Sequence, residues 1–196
     1  PAIERLGDAP AVYHYPPKEH ALERRAILNA KAWSELCAPF PEGSFLVGLS
    51  SVHWREAWKY GERAFRYCQH DAGHALATLR IAAAALGRGL VLLDGISDSA
   101  IAGLFGLSRG DDYGAAEREE PELLALVTPG RPLTSPQLLN GLTAGSIGAQ
   151  WCGRANTLSP EHTVEWPVID EVAQATRRSG SAPITEDFSR FPTEEE

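Results

Sequence analysis

The chain has 196 residues, is 43% hydrophobic and 22% charged, and carries a formal net charge of -8, enough material for a buried core in one main domain. Its acidic balance, without any Lys/Arg cluster, argues against a surface for nucleic acid or an anionic membrane, because such surfaces concentrate positive charge. Three cysteines, Cys37, Cys68 and Cys152, are odd in number and far apart; they offer neither a disulfide framework nor paired zinc ligands, and they suit a reducing cytoplasm.

The most apolar run, residues 75–87, is interrupted by Thr78 and Arg80 and is far shorter than the roughly 20 apolar residues of a membrane span. No signal peptide is evident. The sequence starts at Pro1 and contains no Met, so we expect a processed or excised piece of a longer protein.

In chain order, residues 11–15 (AVYHY) alternate and are stopped by Pro16 and Pro17, which predicts a short strand. Apolar residues then recur at helical spacing (Ala21, Leu22, Ile27, Leu28, Trp33, Leu36) up to Pro39, predicting one or two helices over 18–38. Residues 44–51 (SFLVGLSS) read as a buried strand. A short helix over 53–60 is broken by Gly61, and a long helix follows over 62–86, its Ala-rich second half suited to close packing.

Gly87 and Gly89 end that helix, and residues 90–93 read as a strand buried on both faces. Asp94-Gly95 makes a turn, Ser97 is a good N-cap, and Asp98 complements the positive end of a helix over 100–107. Residues 108–120 read as a loop and 123–127 (LLALV) as a last strand. The main domain is therefore expected over 1–130. Residues 131–196 read as an extended segment or linker with a short helix at 168–175 and an acidic tail from 177. Strands separated by helices indicate an α+β or mixed α/β layer protein. Neither G-x-G-x-x-G nor G-x-x-x-x-G-K-[ST] occurs, which disfavours the dinucleotide-binding and P-loop folds.

Residues 58–67 (WKYGERAFRY) are dense in aromatic and basic groups. Neighbours on a helix point about 100° apart, so Lys59 and Tyr60 serve one site only where the helix ends, and Gly61 supplies that end. Without further context, Lys59 would be exposed while Trp58, Tyr60 and Phe65 fill core. Histidines at i and i+4 in His70-Asp71-Ala72-Gly73-His74 suggest a zinc hydrolase as one alternative, with Glu117 or Glu120 as third ligand. Asp71 is short for the general base, and Gly73 with the Ala-rich continuation favours helix packing, so no metal site is assigned.

The stretch from HWREAWKYGERAFRYCQHDAGH to LLDGISDSAIAGLFG, with YHYPPKEHALE upstream, resembles the flavin-dependent nitroreductase family, most closely its azoline dehydrogenase branch. The resemblance implies a central mixed sheet flanked by helices, with a long buried core helix. It implies an FMN-dependent oxidoreductase that moves a hydride between substrate and flavin N5, with Lys59 and Tyr60 as the catalytic pair. Asp94 and Gly95 would contact the flavin, and the Gly-His pair Gly73-His74 is common at this place in similar flavoproteins. Arg63, Arg66 and Arg131 are available for the FMN phosphate, with Arg63 and Arg131 preferred.

The family's Arg-Ser-rich N-terminal flavin-binding segment does not occur before Ala11. A homodimer, or a second nitroreductase-like domain or chain, would then complete the flavin site. The other alternative is a flavin-free, nitroreductase-like scaffold or partner half. The substrate is expected to be a small molecule or a peptide.

Overall fold

A computed structural model describes residues 9–130, 148–159, 161–162 and 164–180. Among these the chain forms β1 (Ala11–His14), β2 (Glu23–Ile27), α1 (Ala30–Cys37), β3 (Phe45–Ser51), α2 (His53–Tyr60), α3 (Ala64–Ala85), β4 (Arg88–Leu92), α4 (Asp98–Phe105), α5 (Gly110–Tyr113), β5 (Glu120–Pro129), β6 (Gln150–Trp151) and α6 (Pro167–Ala175). The strands make two three-stranded sheets, ordered β1-β2-β6 and β3-β5-β4. All ladders are antiparallel, so the α+β class holds while the sheet is not the mixed one expected.

β5 is the middle strand of the second sheet, and period-2 alternation splits its side chains between two cores. Leu124 and Leu126 face Leu36, Phe40, Leu93, Ile96 and Ile101 from α1 and the β4–α4 region. Leu123, Ala125 and Val127 face α3, packing with Ala83, Leu76 and Leu79. β4 is covered on both faces as predicted, with Leu90 and Leu92 on the α3 side and Val91 and Leu93 on the other, and β5 is covered likewise; its unbroken LLALV run is what a doubly covered strand requires. The strand predicted over 123–127 extends three residues earlier and two later.

The expected helix over 18–38 is only half present. Residues 23–27 (ERRAI) pair with β1 on one side and β6 on the other, and Asn29 then caps α1 by accepting from the Lys31 and Ala32 amides. The apolar spacing was read across a strand and a turn. A short α5 also occupies part of the expected 108–120 loop.

α3 is a long helix as predicted, but the described residues do not enclose it. Only Ala64, Cys68 and Ala83 are buried along it, while Ile81 is 61% and Leu86 76% exposed. Its covered side faces the β3-β5-β4 sheet. α6 packs at its start, where Ile169 meets Ala57 and Ala64 beside Phe65 and Trp166.

Ser97 caps α4 as read, accepting from the Ala100 amide. The helix ends at Gly106, whose φ of 74° is left-handed and whose amide meets the Ala102 and Gly103 carbonyls. A Cβ there would also lie 2.5–2.9 Å from three Trp151 ring carbons. Gly106→Ala is therefore expected to lower stability by about 2–3 kcal/mol, combining the left-handed cost with overpacking. Urea unfolding measures it; a loss under about half that would mean Trp151 yields freely.

Candidate active site

α2 begins where β3 ends and is stopped by Gly61, whose φ of 59° and ψ of -140° no helix continues. A Cβ on Gly61 would come within 3.3 Å of the Trp166 ring, so the break is packed as well as turned. The turn places Lys59 and Tyr60 on the last turn of α2, with Lys59 fully exposed at the negative helix end. The Lys59 ammonium stands 4.7 Å from the Tyr60 ring centre. Hydrogen bonding to the Tyr60 side chain and then its charge, with a smaller contribution from Glu56, raise the Lys59 pKa above its ordinary value. Lys59 is accordingly held as a cation beside the phenol.

Tyr60 is half-buried and stacks on Tyr67 at 4.4 Å between ring centres, tilted by 32°. Trp58 is 66% and Tyr67 39% exposed. The bland expectation that these rings fill core is not met for Trp58. The junction instead presents aromatic rings beside a cation, a surface suited to a planar, electron-poor or anionic ring.

Arg63 lies exposed in the one-turn 3-10 segment between α2 and α3. Asp94 and Gly95 stand half-buried in the turn after β4. Gly180 comes against this turn, with its Cβ position 3.3 Å from Ser97 Cβ and 3.7 Å from the Gly95 carbonyl. Arg131 lies outside the described residues. Lys59, Tyr60 and Arg63 thus share one helix junction, while Asp94 and Gly95 belong to a different element at the end of β4.

The two histidines of the zinc alternative are both engaged elsewhere. Arg66 Nε donates to His70 Nε2 at 3.3 Å, and His74 Nδ1 lies 3.8 Å from Asp71. The suggested third ligands are committed too: Glu120 pairs with Arg177 and Glu117 with His162. Among the described residues no group of three His, Cys, Asp or Glu side chains is placed to hold a metal. Cys68 is buried, and burial pushes its thiol up to about 11, which makes it a packing residue rather than a nucleophile.

Two polar clusters escaped sequence reasoning. In the first, His53 at the start of α2 faces Glu122 on β5, with Nε2 and Oε1 3.6 Å apart and the two side chains 8% and 7% exposed. Gln69 of α3 donates to the other Glu122 oxygen at 2.7 Å. Burial alone would raise the Glu122 pKa, but polar contacts from His53, Ser51 and Gln69 outweigh it and hold the carboxyl below its ordinary value. The signal in the sequence was slight: one acid directly before the apolar run of β5.

In the second cluster, Glu117 is buried and accepts from the Leu158 and Ser159 amides, each at 2.8 Å, and from His162 Nε2 at 3.0 Å. The His162 ring stacks on Trp54 of α2 at 4.2 Å. This cluster ties Leu158, Ser159 and His162 to the helix that carries Lys59 and Tyr60.

No protein-family model matches the sequence, and no curated protein matches it. A crystal structure described as a candidate nitroreductase from Anabaena variabilis ATCC 29413 shares the fold, with a TM-score of 0.56 at 21% identity, over 88% of this chain. The match covers 33% of that chain, so the present chain spans about a third of its length. At this identity the likeness establishes a nitroreductase-like α+β fold. Among the described residues no helix is long and apolar enough to cross a membrane.

Proposed function

We propose that this chain is part of an FMN-dependent oxidoreductase of the azoline-dehydrogenase type, with Lys59 and Tyr60 as its acid/base pair. The observation that carries the reading is the contact between the Lys59 cation and the Tyr60 ring, at a helix end that leaves Lys59 open to solvent. The nitroreductase-like fold supports it at the level of the cofactor class.

The residues present fit a flavin. Half-exposed rings at the α2–α3 junction suit an isoalloxazine or a flat substrate ring. Asp94 and Gly95 would line its edge, and Arg63 would meet the phosphate. FMN, when bound, supplies a two-electron acceptor for hydride.

The remaining task, removal of a proton from the carbon next to the hydride donor, falls to this chain. Lys59 is held protonated, so it is not the base; the Tyr60 oxygen beside it accepts the proton. Lys59 then stabilises the negative charge whenever Tyr60 carries it. A thiazoline or oxazoline in a peptide is the substrate class that needs both losses from adjacent atoms.

A second copy, or a second nitroreductase-like chain, completes the flavin site in this reading. The exposure of Ile81 and Leu86 along α3 supports a partner there. Titrating the purified chain with FMN and separating free flavin by gel filtration tests the reading. Protein-bound visible absorption near one flavin per chain or per dimer is expected; colourless protein would leave the flavin-free partner half as the better description.

A further inference from the structure

Away from Lys59, Tyr60, Arg63, Asp94 and Gly95, none of which lines it, a cavity of about 310 Å³ opens between α2, α3, the start of β5, the start of α4 and the end of α6. That is the lower end of the size range for small-molecule sites. His53 and Glu122 form part of its wall.

The two side chains are more than nine-tenths buried, yet His53 Nε2 and Glu122 Oε1 have no hydrogen-bond partner among the described residues. At 3.6 Å they are too far apart to satisfy each other. Leaving buried polar atoms unpaired costs about 1–3 kcal/mol each, so one carboxylate oxygen and one imidazole nitrogen left without partners on residues of a cavity wall point to something that enters it.

The backbone is shaped for this. Leu49 pairs with Leu123 but Ser50 with Pro121, so Glu122 is the extra residue of a β-bulge. A bulge re-aims the side chain it carries, and this one turns an acid out of the β5 alternation toward α2 and α3.

Charge narrows the occupant. Of the cavity's two arginines, Arg178 is taken by Asp98, through Nε at 2.8 Å and the backbone amide at 2.9 Å, and by the Glu122 carbonyl at 2.9 Å. Arg177 is taken by Glu120 at 3.1 Å. With those pairs closed, Glu122 is the carboxylate left over, and its Oε1 is an open acceptor; His53 Nε2 is a second one when the ring carries its proton on Nδ1. Phe65, Pro121 and Ala173 provide apolar wall.

We propose that the cavity binds a small organic cation with a primary ammonium group, which donates to Glu122 Oε1 and to the His53 Nε2 lone pair while its alkyl stem lies against Phe65 and Ala173. The full chain, isotope-labelled at histidine, is titrated with n-butylammonium, n-butanol and butyrate while the His53 ring signals are followed by NMR. Butylammonium is expected to shift them saturably at millimolar concentration, with the alcohol and the acid ineffective.

Glu122→Gln should weaken binding about tenfold or more, the equivalent of one charge-assisted hydrogen bond. Ala173→Trp, which fills the cavity from α6 and leaves both residues of the pair in the chain, should abolish it and covers the case in which the first variant does not fold. No saturable shift, an equal response to butanol or butyrate, or undiminished binding in Ala173→Trp would overturn the proposal.

Discussion

Replacing Lys59 by Ala, or Tyr60 by Phe, in the FMN-loaded protein is expected to slow oxidation of a thiazoline-containing peptide by about 10²-fold or more while leaving bound flavin unchanged. Positioned proton transfer is worth roughly 10²–10⁴-fold, and each variant removes one half of it. Tyr60→Phe keeps the ring that stacks on Tyr67 and deletes only the hydroxyl, so folding is little affected. Lys59→Ala removes a fully exposed side chain from a helix end and should cost almost no stability.

A charge-restoring variant separates the two roles. If Tyr60 is the base and Lys59 its counter-charge, what Lys59→Ala removes is the positive charge beside the Tyr60 ring. Lys59→Arg should restore part of the rate by restoring the charge. Loss of flavin together with activity, measured by the visible spectrum, would instead make the pair a structural feature of the junction.

How much of this was legible beforehand depended on whether the signal was local. Gly61 and Gly106 mark helix ends in the chain itself, and both stand in the left-handed half of backbone space. Ser97 capped as read because an N-cap needs only its own hydroxyl and an amide three residues on. Residues 23–27 failed because ERRAI has the composition of a helix surface, and only pairing with β1 and the distant Gln150–Trp151 makes it a strand. Tertiary partners decide such short segments.

The candidate sites divide in the same way. Lys59 and Tyr60 are neighbours in sequence, so their contact needed only a helix end. His53 and Glu122 are brought together by the β3–β5 register and by a bulge, neither of which leaves a mark in the sequence of β5 alone. Arg177 and Arg178 fell in what reads as a polar tail, and their ion pairs with Glu120 and Asp98 span the chain. The long helix was expected to be enclosed because its Ala-rich half suits tight packing. Among the described residues it is covered by the β3-β5-β4 sheet, with α2 and α6 against its start.

Glu117→Ala is expected to lower stability by about 4 kcal/mol, roughly 1–3 kcal/mol for each of the two part-buried backbone amides left without an acceptor and the rest for the lost contact with His162. The Glu117 side chain is 1% exposed, and its removal strands the Leu158 and Ser159 amides and frees the His162 ring from its carboxylate. Urea unfolding measures the loss, and a value near 1 kcal/mol would mean that water replaces the carboxylate.

The gentler Glu117→Gln keeps one acceptor oxygen and tests the charge. Burial alone would raise the Glu117 pKa, but the hydrogen bonds from His162 and from the Leu158 and Ser159 amides overcome that and hold it below its ordinary 4.5. A folded-state pKa below the unfolded one contributes stability that is complete above the unfolded value and is lost as pH falls through the folded one. The stability gap between wild type and Glu117→Gln should therefore be widest near neutral pH and shrink below 4.5. A gap independent of pH would locate the stabilisation in shape rather than charge. Because His162 stacks on Trp54, five residues before Lys59 on the same helix, the loss should also loosen the α2–α3 junction. Trp fluorescence of Glu117→Ala, shifted to the red under native conditions, would register that loosening separately from global unfolding.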